Sequence, residues 1–433
     1  MHLFCTLALV FPLAPATLAA QQKPPTPAEQ DALAAKYLTL DDTTAEGHAA
    51  QTAILARLHD VPTLTPAQVT AWKTKLQKLH KKGRKLETTG DNWFVAGDDK
   101  KQLAPRGRYI VGGETKKPKG LAIAMHGGGT GSGDASTAAS AYDAALKKLG
   151  LLMIAPEVLE KTECGWTDAG SEEFVLELVD GALRTWKLDP DQTVFVGHSM
   201  GGYGSWTLGA HHADRVAAVA PSAGAPTGIR ASATGPITQL VEGVIPSLRN
   251  VFVSIYQSLD DPNVPPDSNQ AAVKFLTAAG TKWGAFEHEY WEVDGRGHAE
   301  PPGGFGVHVA KITARRRQPV PERIVWQPVL SWKRQFYWLA WDSPVKHAIV
   351  VADLDRSANA VTITCDRRTA GLRVLLDERV LDVQREVVVT VNGVETFRGK
   401  VAPSLTTLLQ TSGHPDEDLV FVAAVPAAEP EAR

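Results

Sequence analysis

Between about residues 92 and 310, the chain alternates short apolar runs with longer segments of helical pattern. The apolar runs include "GLAIAM", "LLMIAPE" and "TVFVG", and amphipathic segments such as "SEEFVLELVDGALRTWKL" lie between them. Short runs that are almost wholly apolar are typical of parallel strands buried on both faces. Their alternation with helices predicts a mostly parallel sheet covered by helices on both sides. This pattern places the region in the α/β class before any single residue is considered.

The segments on either side of this region have different patterns. The clearest helix before it is "TPAQVTAWKTKLQKLHKKG", in which Thr65 is the predicted N-cap and Gly83 the predicted stop. After about Pro321, strands separated by turn residues, including a hairpin signal at Asn392-Gly393, predict an all-β, sandwich-like domain. We therefore predict a helical N-terminal region at 21–90, an α/β domain at 91–318 and a β-rich domain at 319–433.

Two clusters of side chains are open to two interpretations. The basic residues from Lys73 to Lys85 could bind an anion, but they are also typical of a solvated helix face. Six aromatic residues of the β-rich region could form a sugar-binding platform, although the alternation around them favours a place in the core. These aromatic residues are Trp326, Trp332, Phe336, Tyr337, Trp338 and Trp341.

The start of the chain resembles a secretory signal peptide at 1–20. Its apolar run ends in small residues, as such leaders do. Removal of this leader would take away Cys5 and leave Cys164 and Cys365, which are expected to be buried thiols more often than a disulfide. A formal net charge of −3 provides no field that would favour nucleic acid. No later segment is long and apolar enough to predict a membrane span.

The strand "TVFVG" leads directly into the sequence Gly-His-Ser-Met-Gly. Ser199 thus lies between Gly197 and Gly201, after a predicted strand and before a predicted helix. This context predicts a nucleophile elbow, a sharp turn that exposes a serine hydroxyl above the sheet. Glycines are expected on both sides because backbone segments approach each other closely around the serine. The structural alternative is a serine that only caps the helix.

A second glycine-rich loop is expected to supply donors for an oxyanion. The sequence "HGGG" begins at His126, directly after the predicted strand at 121–125, which is where an oxyanion loop belongs. We predict that backbone N–H groups of Gly127, Gly128 and Met200 bind the oxyanion. His126 is expected to orient this loop beside the substrate and not to act as a base.

An acid and a base follow the serine along the chain. "DDPNVP" supplies Asp260 and Asp261 after a predicted strand, and we favour Asp261 as the acid. "GRGH" ends at His298, in a glycine-rich loop that can reach back over the serine. Nucleophile, acid and base in this order predict a Ser199, Asp261 and His298 triad.

These segments resemble the secreted esterase group of α/β-hydrolases that includes feruloyl and acetylxylan esterases and polyhydroxybutyrate depolymerases. The resemblance rests on "HGGG", "GHSMGG", "DDPNVP" and "GRGH", and it implies the same triad for residues 199, 261 and 298. "ECGWTD" resembles a loop that places an aromatic side chain near the acyl pocket, so Trp166 is either a substrate contact or a core residue. The β-rich region resembles modules appended to esterase-like hydrolases that are classed as prolyl-oligopeptidase-type peptidases, which implies that peptide substrates are possible.

The resemblance implies a secreted serine hydrolase that cleaves carboxylic esters, such as feruloyl or acetyl esters on polysaccharide. The expected partner is therefore a small-molecule or polysaccharide-linked ester, and no metal or organic cofactor is expected. A peptidase of the same fold is the first alternative. The second alternative is a carbohydrate-binding protein in which the β-rich domain is the active part and the hydrolase site is residual.

Overall fold

The computed structural model describes residues 23–429, so the predicted signal peptide at 1–20 lies outside the described residues. The N-terminal region is helical, as the sequence predicts. In its third helix, the Thr65 hydroxyl accepts from the Gln68 N–H and the Gln68 side chain accepts from the Thr65 N–H, which is a capping box. That helix ends three residues before Gly83. The helices are α1 (Pro27–Tyr37), α2 (Ala45–Leu58) and α3 (Pro66–His80).

The middle of the chain alternates strands and helices. Predicted and observed elements agree closely here, although the hairpin formed by the seventh and eighth strands was not predicted. The elements are β1 (Gly90–Val95), β2 (Arg106–Gly113), β3 (Gly120–Met125), α4 (Ala135–Leu149), β4 (Leu151–Pro156), α5 (Ser171–Trp186), β5 (Thr193–His198), α6 (Met200–His211), β6 (Ala218–Ser222), β7 (Gly228–Arg230), β8 (Ile237–Leu240), β9 (Phe252–Ser258), α7 (Asp267–Trp283), β10 (His288–Val293) and α8 (Phe305–Ala310).

Eight of these strands form one sheet in the order β1-β2-β4-β3-β5-β6-β9-β10. The first two pairings are antiparallel and the others are parallel. Strand β3 is buried along its whole length because helices cover both faces: Ala122 and Ala124 pack with α4, whereas Leu121 and Ile123 share a cluster with α5. This is the strand order of an α/β-hydrolase, and the predicted fold class is confirmed.

The C-terminal region forms two further sheets, as expected for an appended β-rich unit. One has the strand order β11-β14-β15-β17-β18 and the other β12-β13-β16-β19. The Asn392-Gly393 turn joins two paired strands, with φ of 48° and 82°. The unit also contains a short helix, so the prediction of an all-β region was wrong on this point. Its elements are β11 (Arg323–Trp326), β12 (Gln335–Phe336), β13 (Leu339–Trp341), β14 (Val350–Asp355), β15 (Ala360–Cys365), β16 (Leu372–Leu376), β17 (Val387–Val391), β18 (Val394–Gly399), α9 (Leu405–Gln410) and β19 (Ala423–Pro426).

The aromatic cluster at 326–341 belongs largely to the core. Five of its six side chains are buried, and the half-buried Trp332 stacks on His212. The expected strand alternation is absent at 336–338, because Tyr337 has φ of 53° in the turn between β12 and β13 and all three aromatic residues point inward. The Tyr337 hydroxyl donates to the carbonyl of Ala213 at 2.7 Å, which ties the β-rich region to the α/β region.

Neither cysteine of the described chain is bridged. Cys164 is exposed, in contrast to the expectation of a buried thiol, whereas Cys365 is buried. Burial raises the pKa of the Cys365 thiol and so keeps it protonated. Residues 23–429 include no helix that is both long enough and apolar enough to cross a membrane.

Arg317 joins the α/β region to the C-terminal segment through buried ion pairs. Its fully buried guanidinium donates to Asp416 at 2.6 Å and to Asp191 at 2.7 Å, and Asp416 is also fully buried. The same group donates to the carbonyl of Asp214. Removal of a buried cation leaves its carboxylate partners without compensation, which is more costly than the loss of an exposed pair.

We expect Arg317→Ala to lower the free energy of unfolding by about 3–5 kcal/mol. The neighbouring Arg316 is the matched control: it also pairs with Asp189 and Asp191, but its side chain is half exposed. Arg316→Ala should therefore cost less than about 1 kcal/mol. Urea denaturation of both variants measures the difference. Equal losses of unfolding free energy in the two variants would show that the buried ion pairs do not hold the α/β region and the C-terminal segment together.

Candidate active site

Ser199 lies in the turn between β5 and α6 with φ of 57° and ψ of −124°. A non-glycine residue in such a conformation costs about 1–3 kcal/mol and must be held by its surroundings. A Cβ atom at Gly197 would lie 2.2 Å from the carbonyl oxygen of Gly201, and one at Gly201 would lie 2.1 Å from that of Met125. Both glycines are therefore required by close backbone contacts. This is the local geometry of a nucleophile elbow.

The glycine-rich loop after β3 approaches the serine. A Cβ atom at Gly127 would lie 3.1 Å from the Cβ atom of Ser199, so the two residues are in direct contact. Gly128 follows with φ of 148°. Met200 is the first residue of α6, and N–H groups in the first turn of a helix have no partner within it. The structure thus brings Gly127 and Met200 to the serine, with Gly128 next in the loop.

His126 is buried and its hydrogen bonds define its tautomer. Nε2 accepts from the N–H of Val158 at 3.2 Å, so the proton is on Nδ1, which donates to the carbonyl of Gly127 at 2.8 Å. Burial lowers the pKa of His126 and favours this neutral form. The imidazole therefore connects the glycine-rich loop to the chain after β4.

Trp166 is fully buried and supports the same loop. Its indole N–H donates to the carbonyl of His126 at 3.2 Å, and its ring lies 5.0 Å from the imidazole. A Cβ atom at Gly204 would lie 2.6 Å from the indole, so the ring also packs against α6. Trp166 therefore occupies a core position in this structure and is not exposed to a substrate.

Glu163 is a loop residue that the sequence analysis did not single out. Its carboxylate accepts from the N–H and the hydroxyl of Thr130 at 3.0 and 2.9 Å. These hydrogen bonds lower the pKa of Glu163 and keep it charged. The carboxylate thus holds the glycine-rich loop at Thr130, in addition to the hydrogen bond between His126 and Val158. A single exposed glutamate has no sequence signal that would reveal this role.

Asp261 and His298 are brought together by two loops that follow β9 and β10. His298 Nδ1 donates to the Asp261 carboxylate at 2.8 Å, and the Asp261 side chain is fully buried. The other carboxylate oxygen accepts from the N–H groups of Asn263 and Val264, both at 2.9 Å. Since a carboxylate can only accept, the proton of neutral His298 lies on Nδ1 and Nε2 is free to act as a base.

Asp260 has a different place from its neighbour. Its carboxylate accepts from the hydroxyl of Ser258 and from the N–H groups of Arg296 and Gly297, and these hydrogen bonds lower its pKa. It therefore positions the loop that carries His298. Of the two adjacent aspartates, Asp261 contacts the imidazole.

His198, which precedes the serine, connects the elbow to the histidine loop. Its Nε2 donates to the carbonyl of His298 at 3.3 Å, its Nδ1 lies 3.0 Å from the Ser222 hydroxyl, and the two imidazole rings are 4.8 Å apart. Burial and the nearby His298 lower the pKa of His198 to about 4. The imidazole of His298 thus lies beside the elbow, although the hydrogen bonds of residues 23–429 do not include one from Ser199 to His298. Such contacts are often loose before a substrate binds.

Comparisons with known proteins match this chain only at the level of three-dimensional structure: no protein-family model and no curated protein matches it. A thermostable esterase is 16% identical over 52% of this chain and 63% of its own chain, with a TM-score of 0.39. An acetyl xylan esterase from Aspergillus awamori is 12% identical over 51% and 97%, with a TM-score of 0.36. A ferulic acid esterase from Anaeromyces mucronatus is 18% identical over 54% and 91%, with a TM-score of 0.36. These values are low, so the fold assignment rests on the strand order and the elbow.

Proposed function

We propose that this chain is a serine hydrolase that cleaves carboxylic esters through an acyl-enzyme on Ser199. The observation that carries the proposal is the hydrogen-bonded pair of Asp261 and His298 beside a serine held at φ of 57°. A serine hydroxyl alone is a weak nucleophile, and an adjacent base that is oriented by a buried carboxylate activates it. Nucleophile, acid and base thus come from three separate loops at one edge of the sheet.

In the proposed reaction, the Ser199 hydroxyl oxygen attacks the ester carbonyl carbon while His298 Nε2 takes its proton. The N–H groups of Met200 and the Gly127–Gly128 segment bind the negative oxygen of the tetrahedral intermediate. His298 then returns the proton to the departing alcohol, and an acyl-serine remains. A water molecule, deprotonated by His298, attacks this acyl group and releases the carboxylic acid and the free serine.

The surrounding residues support this chemistry by fixing positions. Asp261 selects the imidazole tautomer and stabilises the imidazolium that forms in each half-reaction. We propose that His126 and Trp166 act through the oxyanion loop, since both are buried and both hydrogen-bond to its backbone. His198 stays neutral near neutral pH because of its low pKa, so it adds no positive charge beside the imidazolium.

Feruloyl or acetyl esters on polysaccharide are the substrate class that we propose, on the strength of the sequence resemblance. A peptidase activity at the same triad is the alternative. The carbohydrate-binding alternative has less support, since five of the six aromatic side chains that it requires are buried.

A substrate panel tests ester against amide preference. We expect the purified chain to hydrolyse p-nitrophenyl acetate and methyl ferulate, and to release acetate from acetylated xylan. A peptide p-nitroanilide should react at least about 100-fold more slowly, expressed as kcat/KM, because its amine leaves less readily than an alcohol. The Ser199→Ala protein provides the background rate for each compound. Faster turnover of the anilide would favour the peptidase.

We further propose that the enzyme is exported, as the predicted signal peptide implies. When the full-length gene product is expressed in a host that secretes proteins, the exported protein should begin near Gln21. N-terminal sequencing of the exported fraction measures this. Retention of the intact chain inside the cell would contradict the proposal.

A further inference from the structure

A cavity of about 670 Å³ lies where α3, the end of α5 and the C-terminal segment at 412–420 meet. Its described lining residues include none of those in the candidate active site. Small-molecule sites typically have volumes of about 300–1,000 Å³. The cavity is therefore large enough for a ligand of its own, and its occupant does not depend on what Ser199 hydrolyses.

Lysine side chains from two parts of the chain line this cavity. Lys73, Lys81 and Lys85 belong to α3 and the segment after it, and Lys187 follows α5. Among the described residues, the lysines that form ion pairs are other ones. Lys73 is half-buried and the other three lysines are exposed, so their charged groups can reach a ligand that enters the cavity. Four like charges around one cavity favour a bound anion.

The other charged groups of the cavity neutralise only part of the positive charge of the four lysines. Arg184 pairs with Asp180, and Arg379 pairs with Asp377 and Asp418. Glu417 also lines the cavity. The helix dipoles place about half a negative charge at the C-terminus of α3 and the same at that of α5. These two charges favour lysines nearby but together offset only about one of the four lysine charges.

Two polar groups of the cavity lining have no hydrogen-bond partner among residues 23–429. They are the Nε of Arg184 and the Nδ1 of His414, both buried atoms. Burial, together with Arg215, Lys333 and other cations, holds the pKa of His414 well below its usual range. A neutral His414 leaves the charge of the cavity lining to its lysine, arginine and acidic residues.

Apolar side chains share the cavity with the lysines, among them Leu76, Leu183, Leu188 and Val420. These side chains belong to the hydrophobic core or pack against it, and their outer edges give the cavity an apolar wall that a free inorganic ion would not contact. We infer that the cavity binds a small organic anion, in which an apolar body carries a phosphate, sulfate or carboxylate group. The lysines would contact the anionic group, and the leucines and valine would contact the body.

Binding of phenyl phosphate to the full chain tests this inference by isothermal titration calorimetry at constant ionic strength. We expect Lys81→Gln combined with Lys187→Gln to weaken binding at least tenfold. Lys78→Gln combined with Lys82→Gln is the matched control, because both residues are exposed, lie outside the cavity lining and change the net charge equally. The control pair should change the Kd less than twofold.

Two further probes separate the charge from the apolar body. Inorganic phosphate carries the charge alone and phenol carries the ring alone, and we expect each to bind at least tenfold more weakly than phenyl phosphate. Phosphate that binds as tightly as phenyl phosphate would overturn the apolar part of the inference. Absence of saturable phenyl phosphate binding at millimolar concentration, or equal losses in both lysine pairs, would overturn the site itself.

Discussion

We expect the Ser199→Ala variant to fold like the wild type and to lose ester hydrolysis. Its turnover number for p-nitrophenyl acetate should fall by about five to six orders of magnitude, because the hydroxyl that forms the acyl-enzyme is gone. The backbone strain at φ of 57° is similar for alanine and serine, so the midpoint of thermal unfolding should change little. Spectrophotometric turnover and a thermal melt measure the two effects.

Labelling with a fluorophosphonate probe tests whether Ser199 is the reactive serine. The wild type should be labelled on Ser199, as peptide mass mapping can show, and Ser199→Ala should not be labelled. Ser205→Ala is the control, since this serine lies in α6 close to Ser199 but is buried, and its hydroxyl donates to the carbonyl of Gly201. It should keep both labelling and turnover. Labelling of another serine in the wild type would contradict the nucleophile assignment.

Asp261→Asn should lower the turnover number by about 10⁴-fold with little change in KM. In the native loop, one carboxylate oxygen accepts from the N–H groups of Asn263 and Val264 and the other accepts from His298. An asparagine would keep its carbonyl oxygen on the two N–H groups and turn its NH₂ group toward His298. The imidazole would then have to accept at Nδ1, and Nε2 would carry the proton and could no longer act as a base.

Asp260→Asn is the matched control for this substitution. Its carboxylate holds the N–H groups of Arg296 and Gly297 from outside the triad, and the asparagine carbonyl can still accept from them. We expect a loss of less than about tenfold, because the imidazole keeps its tautomer. Steady-state kinetics of both variants decide between the two aspartates. A larger loss at residue 260 than at residue 261 would reverse the assignment of the acid.

Features that depend on neighbouring residues could be predicted from the sequence. The elbow is one, since the glycines on either side of Ser199 and the strand before it are all within a few positions. The capping box of Thr65 and Gln68 and the Asn392-Gly393 turn are others. In each case the interacting groups are close in sequence, so their spacing limits the possible geometry.

Features that depend on distant contacts were harder to predict. The sequence favours Asp261 over Asp260 as the acid, but only the fold of the loop decides between them, because a shift of one residue redirects the side chain. The loop-positioning roles of Glu163 and His198 depend on partners such as Thr130 and His298, which lie 33 and 100 residues away. The sequence leaves both an anion site and a solvated helix face open for the basic residues from Lys73 to Lys85, because it does not reveal the segment that packs beside α3.

The close contacts around Ser199 have a consequence for how this protein can change. A Cβ atom at Gly224 would lie 2.1 Å from the carbonyl oxygen of Ser199, so glycines surround the serine on several sides and backbone atoms leave no room for larger residues there. The Ser199 side chain is partly exposed, and replacing its hydroxyl by hydrogen adds no atom that could clash. A single substitution at residue 199 can therefore abolish the proposed chemistry and leave the architecture intact. A descendant that had lost its activity in this way would still be recognised as an enzyme from its shape.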